Sequence, residues 1–178
     1  SEIVQDSTLW PANGKLWILG CESLNKDEMR TFQQRFKDEN VMIYFEESIF
    51  QNNKNFMDPL VYLFRVQSEG KDKLFVLVQF KNFHMGVYPF TLERDNLIEG
   101  QQIYIIKNSL DETSPTDSIR LISLNCSEAM NFQDELTTLN QREIDWVDKP
   151  YLIFNPQLNP SPISPHFISF RKFVFKYK

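Results

Sequence analysis

Glycine, cysteine and histidine are all scarce here: five Gly, two Cys and two His in 178 residues. The few glycines form no phosphate-cradling loop. Cys21 and Cys126 lie far apart without CxxC spacing, which argues against a zinc site and a disulfide framework and predicts two reduced, buried thiols. His84, in KNFHMG, and His166 sit in neither an HExxH motif nor a triad-like setting, so a turn or surface role is expected of His84. Positive charge is in deficit as well: 19 Lys and Arg against 24 Asp and Glu give a net charge of −5 and a pI near 5.1. That balance excludes a general nucleic-acid surface and leaves room only for a local basic patch. No stretch approaches the roughly 20 uninterrupted apolar residues of a membrane span, and the start lacks a basic-then-apolar leader, so a soluble intracellular protein is expected. The carboxylate pairs Glu46-Glu47 and Asp111-Glu112 lack EF-hand spacing. No metal, no cofactor and no catalytic residue is expected, and a binding module is favoured over an enzyme.

What is present is apolar material for a core: 42% of the chain, 14% aromatic, with sixteen Phe. One domain over 1–178 is expected, with 1–14 an extended lead-in. KLWILG, at 15–20, reads as a strand entered from the Asn13-Gly14 turn. Residues 25–39 change period: Asn25 with Glu28 resembles a capping box, and Met29, Phe32 and Phe36 share a helical face. VMIYF at 41–45 returns to strand, and the polar 51–58 stretch reads as a loop. Residues 60–67 and 74–82, joined by SEGKDK, form an antiparallel hairpin. VYPFTL at 87–92 continues the sheet at an edge because of Pro89, ERDNLIEG is an acidic turn, and QIYIIKN is the next strand. SIRLISLN at 118–125 alternates, which puts Arg120 on the face opposite the apolar set. A second helix starts at Asn125 or Ser127 and runs to about Leu139, with Glu128 near its positive end, and YLIFN is another strand. Residues 155–165 carry four prolines and read as an extended strap before a final strand, FISFRKFVFKYK.

Two segments are candidates for contact. The acidic turn, with Glu93, Asp95 and Glu99, lies beside an edge strand and suits a basic protein surface. At the C-terminal end Arg171, Lys172, Lys176 and Lys178 interleave with aromatics, a pattern that serves single-stranded nucleic acid. On a strand, however, Phe173, Phe175 and Tyr177 would face one side and Lys172, Lys176 and Lys178 the other, the signature of an ordinary core strand.

The order strand, helix, hairpin, strand, polar loop, strand, with EGQQIYII entering a barrel strand, resembles the oligonucleotide/oligosaccharide-binding (OB) fold. Within that fold LWPANGKLWILGCES resembles the lead-in and first strand of the telomerase-recruiting OB domain of shelterin. FVFKYK resembles the ending of the yeast ever-shorter-telomeres accessory subunit, and a ciliate subunit of that type would suit the composition. The resemblance implies a mainly β chain with flanking helices (α+β), built as an OB-like five-stranded Greek-key barrel. It further implies a nuclear, non-catalytic subunit of a telomerase or telomere-maintenance complex, with the reverse transcriptase and other OB-fold subunits as partners and weak or absent direct nucleic-acid binding. The family's acidic loop corresponds best to Phe90–Gly100, hence Glu93, Asp95 and Glu99 as partner-binding residues, with Trp10 and Trp17 helping to hold the surface. The spacing departs from the family's denser acidic run. A single-stranded nucleic-acid binder using the C-terminal basic residues is the first alternative, and an enzyme with an unrecognised site the second.

Overall fold

A computed structural model describes residues 2–20, 22–84, 91–108, 119–129, 151–156, 165, 168–169 and 171–172. The chain is mixed α+β, mostly strands with few helices among the described residues. It divides into two compact units, one of Ser1–Asn82 with Gly86–Gln102 and one of Phe83–Met85 with Ile103–Lys178.

The first unit opens with α1 (Glu2–Gln5) and a 3-10 turn (Ser7–Leu9), so the expected extended lead-in is partly helical. The local reason is the cap: Asp6 accepts the Thr8 hydroxyl at 2.6 Å and the Thr8 N–H at 2.9 Å, which holds its carboxyl below the usual range. Strands β1 (Leu16–Gly20) and β2 (Leu24–Asn25) precede α2 (Lys26–Arg35), followed by β3 (Val41–Phe45) and β4 (Phe56–Met57). The hairpin is β5 (Pro59–Ser68) and β6 (Lys71–Phe80). Its turn is tighter than the sequence reading, two residues long, with Glu69 at φ 56° and Gly70 at φ 74°, the left-handed pair that matches strand twist.

The main sheet runs β1-β5-β6-β3, antiparallel except for β3, which lies parallel to β6. Register places Leu19, Val61, Val78 and Phe45 in one row and Leu63, Val76 and Ile43 in the next. This face carries the core, closed by Met29 of α2, by Phe36 just after it, and by Val4 and Ile49. On the opposite face Leu60, Tyr62, Leu77 and Gln79 are buried, whereas Tyr44, Phe75 and Phe64 form a stacked row with centroids 4.9 and 4.6 Å apart.

The capping box that starts α2 is present in full. The Glu28 N–H donates to Asn25 Oδ1 at 2.9 Å, and the Asn25 N–H donates to Glu28 Oε2 at 2.8 Å. Asn25→Ala is therefore expected to cost about 1 kcal/mol, read as a shift of the denaturation midpoint without a change in slope.

After β6 comes α3 (Thr91–Asn96). Thr91 and Leu92, expected at the end of an edge strand, and the start of the acidic turn are thus helical; Val87–Phe90 lie outside the described residues. In the second unit β8 (Ile119–Ser123) pairs antiparallel with β7 (Ile105–Asn108) and parallel with β9 (Tyr151–Phe154). The Asn155 side-chain amide donates to Leu124 O at 2.6 Å and Cys126 O at 3.1 Å, fastening the chain after β9 to that after β8. Arg120, expected on an exposed face, is buried along with Ile122 and Ser123, so β8 does not alternate. Cys126 is a free thiol, half-buried rather than buried, at φ 51°. Glu128 and Ala129 are helical where the second helix is expected to begin; the rest of that helix and positions 157–164 of the strap lie outside the described residues. The expected final strand is corrected: Ile168, Ser169, Arg171 and Lys172 are helical, as is Pro165. The described strands form three separate sheets, none of which closes into a barrel.

Candidate functional site

Lys81 continues β6 beyond its last paired residue and is fixed there by its own backbone. Its N–H donates to Asp58 O and its carbonyl accepts the Gly100 N–H, both at 2.9 Å. The side chain is only 2% exposed. An ammonium cannot be buried at that depth without counter-charge. Glu93 of α3 supplies it, both carboxylate oxygens lying 2.8 and 2.9 Å from Lys81 Nζ, and Asp58 adds a second carboxylate at 3.6 Å. The Ser23 hydroxyl donates in turn to Asp58. Lys54 Nζ reaches Arg94 O at 2.7 Å near the end of α3, where a cation suits the helix dipole. Chemically this is a staple: the ammonium is held by two carboxylates and positions a short helix rather than a reacting group.

The outer side of α3 is different in character. Leu92 is 76% exposed, and Arg94 and Asp95 are exposed and paired at 3.0 Å. Phe56, which bridges to Leu97 just after the helix, is 46% exposed. Large apolar side chains standing among charges on and beside a short helix are a surface another protein can cover.

Of the expected partner-binding residues, Glu93 and Asp95 share α3, but Glu93 is engaged internally by Lys81. Glu99 is half-buried between Ile98 and Gly100, both buried. Trp10 is half-buried, with the Arg65 guanidinium carbon 5.9 Å from its ring, and Trp17 is 37% exposed on β1 in register with Leu63. Neither tryptophan is on α3. Arg171 and Lys172 are exposed on helical backbone, about 100° apart around its axis rather than on opposite sides of a strand; Lys176 and Lys178 lie outside the described residues.

Sequence reasoning missed Lys81, Asp58, Phe56 and Leu92. A signal existed for the first: a lysine ending the run LFVLVQF implies a buried stem and a nearby carboxylate. Among the described residues no group of three His, Cys, Asp or Glu is placed to hold a metal ion, and no helix is long and apolar enough to cross a membrane. Fold and site together define a mixed α+β chain that presents an apolar-tipped, charged short helix anchored on a buried lysine. No family model matches this chain, and no curated protein or solved structure matches it.

Proposed function

We propose that the chain is a non-catalytic, protein-binding subunit of a telomerase or telomere-maintenance complex in the nucleus, docking on the reverse transcriptase through the outer side of α3. The observation that carries the docking element is Leu92, the most exposed large apolar side chain among the described residues, set in the very segment that the OB resemblance assigns to polymerase contact. The net charge of −5 favours a protein partner over a polyanion. Glu93 becomes a residue that aims the helix, leaving Leu92, Asp95 and Phe56 for the partner. The OB-like closure belongs to this reading rather than to the described architecture.

The test is a pulldown of tagged protein with the reverse transcriptase, wild type against Leu92→Asp. An affinity loss of about tenfold, roughly 1.4 kcal/mol, is expected, with thermal stability unchanged because Leu92 packs against little. Equal capture by both forms would remove α3 from the interface. Salt-sensitive binding of single-stranded DNA by the same preparation would favour the nucleic-acid alternative and its exposed Arg171 and Lys172.

A further inference from the structure

Strand β3 is an outer strand of the main sheet, and its far side is unprotected. Among the described residues it pairs with β6 alone, apart from an isolated bridge between Asp38 and Val41 at its start. All five of its residues keep solvent contact, whereas Leu74, Val76, Leu77 and Val78, in register with them on β6, are buried. The Leu74 N–H donates to Asn40 O at 2.8 Å, which sets the phase of the parallel ladder. Met42 and Tyr44 accordingly turn their backbone polar groups toward β6, and Val41, Ile43 and Phe45 turn theirs outward. Of the outward groups, the Val41 N–H is taken by Asp38 O at 3.2 Å. VMIYF holds no proline, no charge and no bulge, the devices by which natural edge strands resist further pairing. A row of backbone groups left in this way is a template for an added strand.

The flanks select the occupant. Asp38 and Glu39 precede the strand, Glu46 and Glu47 follow it, and over residues 37–47 Lys37 is the single cation. Glu39 and Glu47 are exposed, and the pairing of Glu39 with exposed Lys71 at 3.6 Å is of a kind that contributes little. A second copy of the chain fits badly, because antiparallel pairing about Ile43 sets Glu39 against Glu47 at both ends. A segment with basic ends meets attraction at both. On the sheet face Tyr44, 49% exposed, brings the stack of Phe64, Phe75 and Tyr44 to the edge, so its outer face would meet a side chain of an added strand. We propose that the outer edge of β3 takes an extended segment of another protein as a further strand, apolar over the length of β3 with Lys or Arg at both ends. This contact stands apart from the docking role of α3.

Amide NMR with a synthetic peptide, two lysines on either side of Val-Thr-Ile-Phe-Val, tests it. Saturable binding is expected, with new exchange protection at the Ile43 and Phe45 amides and no change at Met42 and Tyr44, already turned to β6. The same run flanked by glutamates should bind about tenfold more weakly or worse. Ile43→Pro removes an outward N–H without touching the ladder to β6 and should abolish binding. Should that variant unfold, Glu39→Lys combined with Glu47→Lys, both at exposed positions, should reverse the preference between the two peptides. No saturable binding, equal binding of a peptide with lysines around Gly-Ser repeats, or protection away from Ile43 and Phe45 would overturn the proposal. Concentration-dependent self-association with the same protection would overturn it in favour of a second copy. Leu92→Asp should leave the peptide affinity unchanged, and a loss there would move the peptide to α3.

Discussion

Lys81→Met is expected to lower the stability of the protein by about 3 kcal/mol and its Tm by roughly 10 °C. Methionine has the length and apolar stem to fill the space, so the loss comes from what it leaves behind. Glu93 would face a buried position with its carboxylate unneutralised by Lys81, and Asp58 would lose the ammonium at 3.6 Å. Removing one partner of a buried pair costs about 3–5 kcal/mol because the survivor remains desolvated. Both carboxylates here retain some solvent contact, which places the effect at the low end. Adding Glu93→Gln to Lys81→Met should return part of the loss, giving a coupling of about 1 kcal/mol in a double-mutant cycle. Strict additivity would show that Lys81 matters only as packing volume. Under the docking role proposed for α3, which carries Glu93, Lys81→Met should also weaken capture of the proposed partner at temperatures where the protein stays folded.

Gly100→Ala is expected to cost about 2 kcal/mol, measured by chemical denaturation. Its backbone conformation is not the obstacle; space is. A methyl group at position 100 would lie 2.8 Å from Phe80 O, 3.1 Å from Phe80 Cβ and 3.2 Å from Phe80 C. Two of these atoms are backbone in the middle of the core, so no rotamer change relieves the overlap. The chain after α3 would have to move outward, stretching the 2.9 Å bond from the Gly100 N–H to Lys81 O. The two substitutions therefore strike one junction from opposite sides, and their effects should be non-additive. An undiminished denaturation midpoint in Gly100→Ala would show that the junction between residues 80 and 100 yields freely.

Where pattern and partner are close in sequence, the structure was legible in advance. The β5–β6 hairpin follows from two alternating apolar runs and a Glu69-Gly70 turn, and the start of α2 from Asn25 and Glu28 three residues apart. Burial of Met29 and Phe36 follows from the same periodicity. The parallel placement of β3 beside β6 was not legible, since nothing local in VMIYF names a partner 33 residues away. Nor was α3, six residues long and too short for a period; what holds it is Glu93 reaching Lys81 across the fold, a tertiary contact that overrides local signals. Near the C-terminal end the alternation of Phe with charge suggested period two, whereas Ile168, Ser169, Arg171 and Lys172 are helical. Within the acidic segment, the sequence could not tell Glu93, which faces inward to a lysine, from Asp95, which is exposed.

The strand order β1-β5-β6-β3 carries a consequence for synthesis. Both edges of this sheet are encoded before its middle: β1 and β3 leave the ribosome ahead of the hairpin that separates them and offer each other no pairing. At about 5–20 residues per second, the nascent chain carries two apolar strands unpartnered for a few seconds before Phe80 is made. Assembly then runs from the centre outward. The vulnerable species is an N-terminal half-chain still waiting for residues 59–80, and translational pausing within that stretch would prolong its exposure to aggregation and to chaperones.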